Sequence, residues 1–110
     1  MQLEKRKLLE DICQAAEAIG RYTKGKNLDN YLADDQLQAS VERKFEIIGE
    51  ALNRLSHLDP EMIEAIDDYR KIIAFRNTLI HGYSAVDNRI VWGIVKSHLP
   101  KLMNAIQKLL

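Results

Sequence analysis

Apolar residues along this chain recur at spacings of three and four and do not alternate with polar ones. This periodicity is typical of amphipathic helices. The apolar positions fall into four runs. The runs are Leu8, Ile12, Ala15, Ile19 and Tyr22; Leu37, Val41, Phe45, Ile48, Leu52 and Leu55; Met62, Ile66, Tyr69, Ile73 and Ile80; and Ile90, Ile94, Val95, Leu99, Leu102, Ile106 and Leu109. The pattern predicts an all-α protein, an up-and-down bundle of four or five helices.

Glycine, proline and capping residues mark the ends of the first two predicted helices. The first should end near Lys24-Gly25, and residues 25–35, rich in Gly, Asn and Asp, should form a connection. An N-cap at Asp34 or Asp35 should begin the second helix, since a short polar side chain can accept a bond from a free backbone N–H of the first turn. This helix should stop just ahead of Pro60, which suits the first turn of the next helix.

The third helix is expected over residues 61–81, either unbroken or interrupted near Asp67-Asp68. Gly82 lies where a helix can close through a left-handed residue. Asp87 is a natural N-cap for the last helix. Pro100 falls inside that helix and is expected to kink it or split it in two.

Length and composition limit the classes of protein. The 110 residues, 46% hydrophobic and 29% charged, suit one ordinary domain spanning 1–110, and a bundle this small often completes its core by pairing with a second copy. The formal net charge is zero, so a nucleic-acid site would have to be a local patch. No signal-peptide core and no membrane-length apolar stretch is visible, and we expect a cytoplasmic protein with no membrane association.

One segment concentrates chemically capable side chains. It runs from Arg76 to Tyr83, and we call it the motif segment; it includes Asn77 and His81. At about 100° per residue, Asn77 and His81 share a helix face, whereas Arg76 lies roughly 140° from His81. One helix therefore cannot easily direct Arg76 and His81 at the same phosphate. Two copies facing each other across a two-fold axis could pool two arginines and two histidines in one cleft.

Such a cleft would suit RNA cleavage. Attack by the ribose 2′-hydroxyl needs a base to take its proton and an acid to protonate the leaving oxygen, and two histidines can divide these roles. Arginine offers forked donors to phosphate oxygens and stays charged. By spacing alone, however, Arg76 and His81 could simply cap carbonyls and favour the helix dipole.

The motif segment, read as R-x4-H-x-Y with Asn after the Arg, resembles the signature of HepT-like proteins of the HEPN superfamily. The stretch Val41 to Ala51, containing Ile-Gly-Glu-Ala, resembles the family's preceding helix, and Val86-Asp87 followed by Val91-Trp92 resembles the start of its last helix. The chain departs from the family at Tyr69, where members often carry a tryptophan after a proline. The resemblance covers most of the chain.

The resemblance implies a homodimeric, metal-independent endoribonuclease toxin that needs no cofactor. Arg76 and His81 of two protomers would form the catalytic site, and Asn77 would orient the histidine or the phosphate. The implied partner is an MNT-type nucleotidyltransferase antitoxin that attaches AMP to the motif tyrosine, here Tyr83. Tyr83 could instead be an aromatic residue packed against the last helix.

Glutamates recur at every fourth position of the second predicted helix, at Glu42, Glu46 and Glu50. Solvation or pairing with Arg43 and Arg54 accounts for most of this stripe. A metal site is disfavoured because hard cations need more convergent oxygens than one helix offers. Glu46 and Glu50 flank Gly49, where a helix can approach a neighbour closely, so one of them could support the site by steering Arg76.

Two other functions remain open. The chain could be a non-catalytic HEPN module that binds a nucleotide, RNA or a nucleotidyltransferase partner through the same cleft. It could also be a plain helical dimerisation domain whose motif is structural.

Overall fold

The computed structural model describes residues 2–82 and 86–110. Within these residues every regular element is a helix, which confirms the all-α prediction. The helices are α1 (Leu3–Thr23), α2 (Leu28–Leu32), α3 (Asp35–Leu58), α4 (Pro60–Ile63), α5 (Tyr69–His81) and α6 (Asn88–Leu109). Four of these are long, and α2 and α4 are short additions between them.

Capping side chains set most of the helix starts. The carboxylate of Asp34 accepts a bond from the N–H of Leu37 at 3.0 Å, and Asp87 accepts from Arg89 at 3.0 Å, so both predicted N-caps are confirmed. Asp59 caps α4 through the N–H of Met62 at 3.0 Å, with Pro60 in the first turn as expected. This bond, followed by the ammonium of Lys5, holds the pKa of the Asp59 carboxyl below its usual range.

Two predictions about the helices need correction, and for the third helix the structure decides between the two expected alternatives. The connection at 25–35 contains α2, whose start is fixed by reciprocal bonds between Asn27 and Asn30. The third predicted helix is interrupted near Asp67-Asp68, as the second alternative expected: the chain leaves helical geometry after Ile63 and re-enters it at Tyr69, through Asp68 at a φ of 63°. The fourth is one helix: Pro100 lies inside α6 without splitting it.

The core is formed where α3 packs between α1 and α5, with α6 covering α1 and α2. The salt bridge from Lys5 at the start of α1 to Asp59 after the end of α3 measures 3.0 Å, so these two helices run antiparallel. The core is almost entirely aliphatic, with Tyr31 of α2 packed on Trp92 of α6 at 5.3 Å between ring centroids. Burying each large side chain stabilises the fold by about 1.5–3 kcal/mol.

Two residues of the predicted apolar runs neither belong to this core nor pack against it. Ile80 is 47% exposed and Ile90 is 59% exposed, and they stand on either side of the motif segment's end. Among the described helices, none combines the length and the apolar character that a membrane crossing requires.

Candidate functional site

The motif segment occupies the C-terminal half of α5 and continues beyond it. Arg76, Asn77 and His81 belong to α5, and Gly82 follows in the left-handed conformation at a φ of 57°, as predicted for a helix-closing glycine. His81 is exposed in the last turn. Tyr83, the expected AMP acceptor, lies outside the described residues.

Arg76 is held against the neighbouring helix α3. Its Nη2 donates to the Oε2 of Glu50, and its Nη1 donates to the Oδ1 of Asn77 at 2.8 Å. The Nε is buried and has no hydrogen-bond partner among the described residues. Because both terminal nitrogens are tethered and the side chain is only 22% exposed, the guanidinium has a defined direction.

Gly49 explains how the arginine comes so close to α3. A Cβ placed on Gly49 would lie 2.6 Å from the Cγ of Arg76, a distance at which atoms collide. The aliphatic stem of Arg76 therefore lies directly over the glycine, and Glu50, the next residue, meets the guanidinium. The lack of a side chain at Gly49 therefore permits both the close approach of α3 and α5 and the orientation of Arg76.

The three glutamates of α3 have different surroundings. Glu50 contacts Arg76, whereas Glu46 pairs with Arg43 at 3.5 Å. Glu42 is half-buried; burial and then the Glu46 carboxylate raise the pKa of its carboxyl above the usual range. The predicted pairing of the stripe with Arg54 is not seen, since Arg54 faces Glu4 of α1 at 3.9 Å.

Arg76 faces an open pocket of about 330 Å³ between α1, α3 and α5, which we call the arginine pocket. Three arginines line it, Arg43, Arg54 and Arg76, together with the carboxylates of Asp11, Glu46 and Glu50 and an apolar floor that includes Leu8 and Ile47. Arg43 and Arg54 were not singled out from the sequence as site residues. Their spacing of eleven residues, about three full helical turns, is the signal that they share a face with Glu50.

The arrangement brings some of the expected site residues together and separates others. Arg76 is bonded to Asn77 and Glu50, and Arg76, Glu50 and Glu46 line the arginine pocket. His81 lies five residues after Arg76 at the end of the helix. A phosphate bound to Arg76 would meet a rigid donor. His81 lies about 140° from Arg76 around the helix axis.

The chain has relatives across nearly its full length. A probable ribonuclease HepT of Thermococcus cleftensis is 35% identical, with 99% of this chain and 98% of that protein covered. A candidate RNase of Caldanaerobacter subterraneus subsp. tengcongensis is 30% identical (96% and 93% covered), and one of Methanocaldococcus jannaschii is 28% identical (90% of each). No solved structure matches.

The sequence model that describes the family named "Ribonuclease HepT-like" matches residues 12–109, a span that contains α3, all of α5 and the motif segment. The chain therefore belongs to the HepT-like ribonuclease family.

Proposed function

We propose that this protein is a metal-independent endoribonuclease, the toxin of a toxin–antitoxin pair, which cuts RNA at a site shared by two protomers. The observation that carries the proposal is the fixed guanidinium of Arg76, tethered by Glu50 and Asn77 on the wall of an open pocket, in a HepT-like chain. Preorganised donors of this kind stabilise charge that develops in a transition state.

The proposed reaction is an internal transfer at one phosphodiester. The 2′-oxygen of the ribose forms a bond to phosphorus while the bond from phosphorus to the 5′-oxygen breaks. His81 of one protomer accepts the 2′ proton, and His81 of the other protonates the leaving 5′-oxygen. Arg76 binds the non-bridging oxygens, which gain charge, and the products are a cyclic phosphate and a 5′-hydroxyl.

Homodimerisation is part of this proposal, with the motif segments near the two-fold axis. Ile80 and Ile90, which are exposed before and after the end of the motif segment, would be covered by such a contact. The roles of Glu50 and Asn77 are to position Arg76, and Glu46 supports the same wall through Arg43. None of these groups is needed as a metal ligand.

The antitoxin part of the proposal rests on the family resemblance. An MNT-type nucleotidyltransferase would attach AMP to Tyr83, two residues after His81, where the added nucleotide would obstruct access of RNA to the motif. The protein would then act in the cytoplasm, where its RNA substrate is found.

The test is end-mapping of RNA fragments made by the purified protein in the presence of a chelator. We expect cleavage to persist and to leave cyclic phosphates. Arg76→Ala should lower turnover about 10²–10³-fold and His81→Ala about 10²–10⁴-fold. Arg76→Lys, which keeps the charge and a stem over Gly49 but loses the forked donors, should also be impaired.

The chain offers matched control positions outside the proposed site. Arg70, an exposed arginine paired with Glu64 at 3.2 Å, and His57, exposed at the end of α3, stand outside the motif segment. Alanine at either position should leave turnover unchanged. Loss of cleavage on chelation with recovery in magnesium would contradict the metal-independent mechanism, as would full activity of the Arg76 and His81 variants.

The second candidate is a non-catalytic module, and the arginine pocket favours it specifically. A pocket of about 330 Å³ with three arginines and an apolar floor has the size and chemistry for one nucleotide. Binding of a nucleotide or RNA by the wild-type protein, with no cleavage under any condition, would favour this function over the endoribonuclease.

A further inference from the structure

The arginine pocket extends well beyond Arg76 in both directions along α3. Arg43 and Arg54 are eleven residues apart, which places them on one helix face and about 16 Å apart along the axis. Glu50, the residue that holds Arg76, lies between them on that face. The pocket therefore presents three guanidinium groups in a row, with the motif arginine in the middle.

The outer arginines differ from Arg76 in how they are held. The side chains of Arg43 and Arg54 are 68% and 59% exposed, and among the described residues each has one carboxylate partner, Glu46 at 3.5 Å and Glu4 at 3.9 Å. Exposed pairs of this kind contribute only about 0–1 kcal/mol. Exchange of the carboxylate for another anion thus costs little, so both arginines are available to a ligand.

The carboxylates of the arginine pocket determine which kind of anion it can bind. Asp11, Glu46 and Glu50 balance the three arginines, so the pocket has no net charge to attract an isolated ion. A ligand with several linked phosphates can form an ion pair with each arginine at once, and these ion pairs replace those of the displaced carboxylates. A single-stranded nucleic acid fits this description, since it can bend along an open groove and lay its sugars and bases on the apolar floor.

We propose that Arg43 and Arg54 bind the phosphates that flank the cut on either side, while Arg76 binds the phosphate that is cut. This assignment rests on the proposed endoribonuclease function and names how that site holds its substrate. The outer contacts are made equally before and during the reaction, so they contribute to substrate affinity and not to the chemical step. Arg43 and Arg54 are binding residues, and Arg76 alone of the three is catalytic.

The experiment uses steady-state cleavage of a labelled single-stranded RNA oligonucleotide by the full chain. Arg43→Ala and Arg54→Ala should each raise KM about three- to tenfold with kcat within about twofold of wild type. Each should also reduce the slope of log affinity against log salt concentration by about 0.7, the value for one lost phosphate contact on a single strand. The slope is read from binding of the same oligonucleotide to the His81→Ala protein and to its double variants with Arg43→Ala and Arg54→Ala.

Arg70→Ala is the matched control, because Arg70 is similarly exposed and also paired with one glutamate but does not line the pocket. It should change neither KM nor slope. Circular dichroism melts that coincide with wild type exclude unfolding as the cause of any effect.

Several results would overturn the assignment. Unchanged KM and salt slope in both variants, with a wild-type protein that cuts, would remove the outer arginines from the substrate site and leave the proposed function intact. A fall in kcat would mean that they act through Arg76. AMP that binds with the same dependence on both arginines would identify a mononucleotide site. A wild-type protein that does not cut would refute the proposed function, and the salt slopes would still decide whether these arginines bind RNA.

Discussion

At the scale of single residues, the two parts of the Tyr31 side chain, its ring and its hydroxyl, have opposite effects on stability. Its ring is fully buried and packs on Trp92, which fastens the short helix α2 to α6. Its hydroxyl is buried without a hydrogen-bond partner among the described residues. Burial, and then the nearby Glu42 carboxylate, raise the pKa of the phenol above its usual range. The ring stabilises the fold and the hydroxyl opposes it.

Tyr31→Phe should therefore leave the free energy of unfolding unchanged or raise it by about 1 kcal/mol, because it removes a desolvated polar group and keeps the ring. Tyr31→Ala, which removes the ring, should lower it by about 3–5 kcal/mol. Urea denaturation of the three proteins measures both changes. If Tyr31→Phe lowers the free energy of unfolding by more than about 1 kcal/mol, the hydroxyl forms a stabilising hydrogen bond.

At the scale of helices, the contact between α3 and α5 ties stability to the site. The stem of Arg76 fills the space that a side chain on Gly49 would need, so the helices can meet only where residue 49 lacks a Cβ. Any larger residue must move α5 or expel the arginine from its place beside Glu50. Other glycines in helices have no such neighbour: a Cβ on Gly20 of α1 would contact nothing within 4 Å.

Gly49→Ala is expected to lower the free energy of unfolding by about 1–3 kcal/mol through overpacking, and to reduce RNA cleavage because Arg76 loses its position. Gly20→Ala makes the same chemical change where there is room, and should raise stability by about 0.5–1 kcal/mol with activity unaltered. Thermal melts and cleavage assays on both variants provide the comparison. Equal effects at the two positions would show that Gly49 is only a helix-weakening residue.

Helix positions could be predicted well where the signal is local. The caps at Asp34 and Asp87 and the closing residue Gly82 act within a few residues of their own backbone, so the sequence shows them directly. The short helix α2 was missed because five residues with one large aromatic anchor make no periodic run. Pro100 does not split α6, which continues from Asn88 to Leu109 with Leu99 and Leu102 buried on either side of the proline.

The site was predictable only in part, for a similar reason. The order of residues from Arg76 to His81 is local, and so is the presence of a glycine inside a helix at position 49. The partners across helices are not local: nothing in the sequence says that Glu50 rather than Glu46 reaches Arg76, or that Arg54 turns to Glu4. These choices depend on how α1, α3 and α5 are aligned, which is fixed by the whole core.

At the scale of the whole molecule, the proposed cleavage site draws its catalytic groups from two chains. Arg76 is fixed toward α3 while His81 stands at the exposed end of α5, about five residues or 7.5 Å further along the axis. A straight helix cannot easily direct both side chains toward one phosphate. A two-fold related copy can bring a second set to the same cleft, with Ile80 and Ile90 close to the contact.

A subunit-mixing experiment tests this arrangement. Wild-type protein is exchanged with an equal amount of the Arg76→Ala/His81→Ala double variant, after light scattering has established that each forms dimers. If both protomers serve one cleft, only wild-type homodimers cut at full rate, and random pairing leaves about a quarter of the activity of the same total amount of wild type. If each chain carries its own complete site, half of the activity remains.

The same mixture assayed before subunits exchange should give half of the activity in either case and serves as the control. A value of one half after exchange, or a protein that stays monomeric, would refute the shared cleft and require one chain to bring Arg76 and His81 together by itself.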